Sequence, residues 1–418
     1  MKPRAILVTD GDERSALAVV RSLGRAGHDV HVGSTSGRSI AGASRYARSD
    51  TPIPGVQGDG GAYVSAVARL IELHRIDVLL PVTEAALLRL LPERERLGVV
   101  LPFPDDDAFR AISDRERLLA AAAERGIAVP AQLTLRAPED ARRLELEPIE
   151  FPIVLKPARS TARVNGRLRK LGVLYAADRR DLRASLADLP SSAYPLLLQQ
   201  RVVGPAVGVF LLVWGGRTVA IFSHRRIREK PPSGGVSVCC EGISPDPALV
   251  AQSRALLDRF GWEGVAMVEW KMDAARGIPF LMEVNARFWG SLQLAVDSGV
   301  DFPAWLVAAA TGEPLPYRVH GRPGRRIRWW WGDVDHLLSR LRRTPAELSL
   351  PPDALTRWET LRDVLMPWRP GQRGAVFRWR DPWPFARETA AWLSDVVGRR
   401  ARQRSEAKHR ALSAQECV

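Results

Sequence analysis

The chain opens with a short apolar run in "RAILVTD". "ERSALAVVRSLGRAG" follows with apolar residues at helical spacing, and "HDVHVGST" reads as extended again. This order predicts β-α-β, with Gly27 suited to the helix end because glycine enters the left-handed region at little cost. Further on, "IDVLLPVTE" and "GVVLPFP" read as short buried strands flanking a helix over "EAALLRLLPERERL". Strands alternating with helices predict a parallel, Rossmann-like α/β sheet over residues 1–112. No GxGxxG follows the first strand, so no dinucleotide site is expected there.

The pattern changes after "SDRERLLAAAAERGIAVP". Ser113, with Glu116 three residues on, reads as a capping box, and Gly126 closes the helix. From 151 to 320 the chain is strand-dominated, through "FPIVLKPA", "YPLLLQQRVVG", "VGVFLLVWGGRTVAIFSHRR", "GVAMVEWKM" and "IPFLMEVNARF". Gly215–Gly216 signals a hairpin turn, and "DAARG" is a short polar link between the last two runs. Residues 113–318 are therefore expected to form antiparallel sheets with flanking helices. Beyond 320 the composition shifts to Trp, Arg and Pro, with eight of the 13 tryptophans past residue 328. Residues 319–418 are expected to be an accessory segment ending in a frayed tail.

Composition narrows the classes. At 418 residues and 46% hydrophobic content the chain can bury a large core, yet it has no apolar run of some 18 residues to span a bilayer. The start lacks a signal peptide's long apolar region. Three cysteines, two of them the adjacent Cys239 and Cys240 and the third Cys417, give neither a disulfide framework nor a CxxC metal spacing. A reducing, cytoplasmic setting is expected. The net charge of +14 comes from 61 Lys+Arg, but only six of these are lysine. That bias points to codon usage more than to nucleic acid, and no nucleic-acid motif accompanies it. The basic, Trp-rich C-terminal segment leaves open docking on a membrane surface or a protein, with a hydrophobic wrap around the core as the preferred reading. A homodimer is also left open.

Candidate chemistry gathers on two strands. In "FLMEVNARFWGS", Glu283, Asn285 and Arg287 share one face of an extended chain, and strand parity places Met282 on the other. If "DAARG" closes a hairpin, Glu269 of "VAMVEWKM" faces them. Two carboxylates and an amide oxygen are the hard donors Mg²⁺ takes, and a neighbouring cation suits an anionic reacting group. Taken alone, such a face is more often solvated sheet. Gly290–Ser291 opens a further helix whose N-terminus is expected to face the same region. Lys156, ending "FPIVLK" in a lysine-poor chain, is a compact charge suited to phosphate, and "ARSTARVNGRLRKLG" after it reads as a phosphate-covering loop or a basic hairpin. Gln199, Gln200, Arg201 and Val202 end a strand before Gly-Pro, as a hinge against a planar base would, although taken alone a strand ending in a turn is the commoner reading. In "SHRRIREKPPSGGVSV", Arg225, Arg226 and Arg228 precede the Gly234–Gly235 loop.

The order "SDR…GIAVP", "FPIVLKPA", "LLLQQRVVG", "MVEW", "FLMEVNARFWGS" resembles the ATP-grasp superfamily of ATP-dependent carboxylate–amine ligases, especially a predicted carboligase branch. The likeness covers about 113–315, and the preceding α/β segment is similar to the family's usual leading domain. The resemblance implies a phosphate-binding role for Lys156 and for Arg115, which stands where lysine is usual. It implies an adenine hinge over Gln199, Gln200, Arg201 and Val202, with Met282 beneath the base. It makes Glu269, Glu283 and Asn285 the ligands of Mg²⁺ (or Mn²⁺), Arg287 the catalytic arginine beside Lys156, and Arg226 a ligand contact. Gln199 replaces the usual hinge carboxylate, and no ribose-binding glutamate stands near Ala206. The implied reaction is attack of a small-molecule carboxylate on ATP, then attack of an amine on the acylphosphate. Alternatives are a carboxylating or carbamoyl-phosphate-like enzyme using bicarbonate, and a catalytically degenerate nucleotide-binding module. Cys239 and Cys240 are expected to be packing residues.

Overall fold

The computed structural model describes residues 2–144, 149–164, 167–316, 319–351, 354–366 and 369–398. Its first unit is a parallel sheet in the order Ser49–Pro52, Asp29–Ser34, Ala5–Val8, Val78–Leu80. Helix Arg14–Arg25 buries Leu17, Val20 and Leu23 against it, and Gly27 takes φ +89° beyond its end. The polar strand Ser49–Pro52 carries no apolar pattern and could not be read from the sequence. Conversely, the strand expected over "GVVLPFP" reduces to a single bridge between Val78 and Val100. The helix expected over "EAALLRLLPERERL" breaks at Pro92 into Glu84–Leu90, a 3₁₀ turn and Arg94–Leu97, because proline lacks the N–H that continues a helix.

Two antiparallel sheets follow. The smaller runs Gln132–Leu135, Leu196–Gln200, Ile153–Pro157, Leu174–Ala176. Leu135, Ile153, Leu155, Leu196 and Leu198 form a satellite core on one face with Leu182 of helix Arg179–Ala187. The opposite face carries Val154, Lys156, Leu197 and Gln199, by the pairing of Lys156 with Leu197 and Val154 with Gln199. Leu197 packs into the main core with the larger sheet, so this polar-bearing face looks into the cleft between the sheets.

The larger sheet runs Pro279–Asn285, Gly264–Met272, Ala206–Trp214, Arg217–Lys230, Val236–Ile243, Arg326–Arg328, Gln372–Gly374, with Val319–His320 also beside Arg217–Lys230. The Gly215–Gly216 hairpin forms as expected, both glycines at positive φ. Helix Arg115–Ala123 is capped by Asp114, whose carboxylate accepts from the N–H groups of Glu116 and Arg117. Ser113, the expected cap, instead ends the preceding helix Asp106–Ser113; a carboxylate one residue later is the better acceptor for those donors.

The C-terminal segment joins the larger sheet and returns to the first unit. Asp333 of helix Trp330–Arg342 is buried and binds Arg228 Nε at 2.7 Å and Arg328 Nε at 2.6 Å. Asp381, also buried, accepts from Arg21 Nε (2.8 Å), Ser44 Oγ (2.8 Å) and the Arg45 N–H (2.9 Å). Trp331 stacks on Trp392 at 4.2 Å, an inward wrap, whereas Trp358, Trp379 and Trp383 are exposed. Among the described residues no helix is long and apolar enough to cross a membrane. The expected frayed tail, with Cys417, lies outside the described residues.

Candidate active site

Strands Gly264–Met272 and Pro279–Asn285 form the hairpin that the polar link predicted, with Glu269 directly opposite Glu283 and Met267 opposite Asn285. The register then slips: Trp270 pairs with Leu281, leaving Met282 as an extra residue. This bulge overturns the parity argument for Met282. Leu281 and Val284 are buried, while the adjacent Met282 and Glu283 are both half-buried, as expected where a bulge breaks the two-residue alternation. Met282 therefore flanks Glu283 on the partly open side.

Each carboxylate meets an arginine from a different element. Arg115 opens its helix, donates Nη2 to Glu283 Oε2 at 2.9 Å and Nη1 to the Pro157 carbonyl at 3.0 Å, and its backbone N–H reaches the Ala158 carbonyl. It thus ties Glu283 to the strand bearing Lys156. Burial alone would raise the Glu283 carboxyl, but Arg115 and Lys156 outweigh it and hold the group at about 2. Burial pushes the Lys156 ammonium down to about 8, with Glu283 pulling the other way. Arg226 binds Glu269 through Nη2, and through Nη1 it binds Glu229 at 2.9 Å and the Gly235 carbonyl at 3.1 Å. The Glu269 carboxyl still sits above its ordinary range, because burial and the facing Glu283 exceed the help from Arg226. Of the other arginines in that run, Arg225 pairs with Glu241 at the surface, and Arg228 joins Asp333 away from the cleft.

Asn285 donates Nδ2 to Glu283 Oε1 at 3.0 Å, and its Oδ1 accepts from Arg287 Nη2 at 3.0 Å; Arg287 Nη1 binds the Phe288 carbonyl. The helix after Ser291, Leu292–Asp297, is a single short element without a side-chain cap, so the expected helix-dipole contribution is small. Lys156, Arg115, Arg226, Glu269, Glu283, Asn285 and Arg287 are thus linked through direct bonds or mutual electrostatics. The expected hinge is tied up differently. The N–H groups of Gln200 and Arg201 reach the carbonyls of Ala131 and Pro152, and the Val202 carbonyl accepts from Lys271 Nζ at 3.1 Å. Arg201 binds the Ser349 carbonyl and lies over Tyr175. Gln199 donates Nε2 to Gln132 at 2.7 Å, but its buried Oε1 has no partner among the described residues.

Two groups escaped the sequence reading. Lys271, one of the six lysines, lies two residues past Glu269, and that spacing was a usable signal. Glu229 joins Arg226 only because the register slips on both sides of Arg228, which parity cannot foresee. The expected phosphate loop is a hairpin, Thr161–Val164 with Arg167–Lys170, whose Asn165–Gly166 lie outside the described residues. Its base is pinned by Ser160 Oγ to Glu84 Oε2 at 2.7 Å. A cavity of about 1270 Å³ opens behind this hairpin, lined by Asp114, Pro157, Arg159 and Tyr194 and by neither Glu269 nor Glu283.

The donor set fits a hard divalent cation. Glu269 and Glu283 face each other as two hard oxygen donors, and burial together with the facing Glu283 raises the Glu269 carboxyl. Asn285 offers its oxygen only after its amide end turns away from Arg287. For a nucleotide, the orphaned Gln199 Oε1 on the Lys156 face is an acceptor for an amino group.

Comparison with known proteins agrees with this architecture. Residues 192–332 match the family described as ATP-grasp in the biosynthetic pathway with Ter operon. No curated protein sequence matches the chain significantly. Among solved structures, an L-amino acid ligase from Bacillus licheniformis is similar with 18% identity and TM-score 0.59, over 74% of this chain and 75% of that one. A biotin carboxylase from Campylobacter jejuni, described as a complex with β-γ-ATP, is similar with 17% identity and TM-score 0.60, over 75% and 72%. An N5-carboxyaminoimidazole synthetase from Staphylococcus aureus complexed with ADP gives 14% and 0.59, over 77% and 80%. The match over 192–332 and the likeness of these solved structures over three quarters of the chain show that it has the ATP-grasp fold.

Proposed function

We propose that the protein is an ATP-dependent ligase that activates a small-molecule carboxylate as an acylphosphate for attack by an amine, releasing ADP and phosphate. The observation that carries this reading is the convergence of Lys156 and Arg115 from one side of the cleft on the Glu269–Glu283 pair of the other. Lys156 and Arg115 supply the fixed positive charge that a polyphosphate needs in a partly dehydrated site. Glu269, Glu283 and Asn285 would hold Mg²⁺, or Mn²⁺ in its place, whose chemistry is to neutralise phosphate charge. Arg287, steadied by Asn285 and the Phe288 carbonyl, stabilises the charge that develops on the transferred phosphoryl group and on the tetrahedral intermediate. Gln199 and Met282 would contact the base in this reading. Positioning and electrostatics suffice for such a transfer, with no side-chain nucleophile; burial pushes the Cys240 thiol up to about 12, which keeps it protonated and in a packing role.

Amide-type bond formation is the first reading. Bicarbonate as the activated carboxylate is the second, favoured by the carboxylating enzymes among the similar folds. The test is ADP release from ATP with Mg²⁺ across carboxylic acids, bicarbonate and amines, for wild type and Glu283→Gln. The ligase reading expects one pair to raise ADP release and the variant to lose it. Tight ATP binding with no ADP from any pair counts for a degenerate module.

A further inference from the structure

Arg14 is the exception among the arginines near the cleft. Arg115 and Arg226 are each bound to carboxylates, and Arg287 to an amide and a carbonyl. The Arg14 guanidinium makes no hydrogen bond or ion pair among the described residues, yet it lies half-buried over the Trp329 ring, its Cζ 4.0 Å from the centroid, with Lys230 Nζ 5.4 Å from the same centroid. Its Nη2 is 2.9 Å from where a side-chain carbon on Gly290 would stand. Gly290 lies three residues past Arg287, so Arg14 brings a cation from the first unit to the turn that ends the metal-holding strand.

Burial lowers the Arg14 pKa, with only longer-range help from Glu388 and Glu13. Glu388 gives one oxygen to Trp329 Nε1 at 2.7 Å, its other oxygen is buried without a hydrogen bond among the described residues, and it acts on Arg14 at longer range than an ion pair; Glu13 is exposed. A partly dehydrated cation without a close counter-charge is costly unless an anion joins it. The surroundings select the form of that anion. A guanidinium offers paired, coplanar N–H donors that match a carboxylate, and none of the Arg14 donors is used among the described residues. Trp329 is itself held by Glu388, so the plane is fixed before a ligand arrives.

We propose that Arg14, on its Trp329 shelf beside Gly290, is the docking point for a carboxylate group of the substrate, making the substrate class anionic. This rests on the ligase reading for its meaning but not for its test. Titration calorimetry of the full chain would use acetate, succinate, glutamate and inorganic phosphate as probes at millimolar concentration, with and without Mg-ADP. At least one carboxylate is expected to bind more tightly than phosphate. Arg14→Gln should weaken it at least tenfold, and Arg14→Lys should fall between the two because it keeps the charge and loses the paired donors. Mg-ADP affinity should stay within about twofold in both variants. Arg14→Lys guards against a folding defect in the glutamine variant. Unchanged carboxylate affinity in both variants, phosphate preferred over every carboxylate, or no carboxylate binding overturns the proposal. Failure of wild type to bind Mg-ADP counts instead against the ligase reading.

Discussion

The molecule uses arginine–carboxylate pairs in two regions for opposite ends. Around Asp333 the charges are paired: Arg228 and Arg328 bind a fully buried carboxylate, Arg228 also reaches Asp363, and Arg328 Nη2 binds the Val364 carbonyl, while buried Arg328 Nη1 has no partner among the described residues. At the cleft the set is open. Two glutamates of like charge face each other, their partners come from separate elements, and Gln199 Oε1 stays unpaired. A paired set holds elements together, whereas an open one carries a charge imbalance that a ligand can complete. The number of ion pairs does not distinguish the two; the facing pair of like charges in the cleft does.

The comparison is broken most directly at Asp333. Asp333→Ala leaves buried Arg328 without a carboxylate and Arg228 with Asp363 alone, and is expected to cost about 3–5 kcal/mol of stability in denaturant unfolding. A loss under 1 kcal/mol would mean that this network is no buttress. Glu283→Gln should cost less stability than Asp333→Ala, because the amide oxygen can still accept from Arg115, while ADP release falls about a hundredfold. Next comes Lys156→Met, for which ATP binding should weaken about 10- to 100-fold, the scale of one charge-assisted contact. Binding to wild type should also depend on pH. Below about 8 Lys156 already carries its proton, while above it phosphate binding must take one up, so affinity should fall by up to about tenfold per pH unit. Lys156→Arg should flatten that profile, and a flat wild-type profile would remove Lys156 from the phosphates. The smallest effect is expected for Gln199→Leu, about two- to tenfold in ATP affinity, the worth of a neutral hydrogen bond.

Much of this was legible in the chain because it depends on local periodicity. The Gly215–Gly216 hairpin, the pairing of Glu269 with Glu283 and the parallel first sheet follow from turn chemistry and alternating apolar positions. Single-residue slips defeated the same reasoning. Parity put Met282 opposite Glu283 in facing, and the bulge brought them to one side; the slips around Arg228 brought Glu229 to Arg226. Strand Ser49–Pro52 has no apolar signal because it is only partly covered.

By itself, then, the sequence determined the order of elements and which residue types lie near each other along a strand, since both are set by backbone geometry over a few residues. Only the tertiary structure decided which charges meet. Arg115 and Glu283 are 168 positions apart, Arg21 and Asp381 360, and Arg14 reaches Trp329 from the other end of the chain. Such pairings have no local signature, because they come from how whole sheets pack, and that packing also leaves Arg14 without an ion pair and Gln199 Oε1 without a hydrogen bond among the described residues.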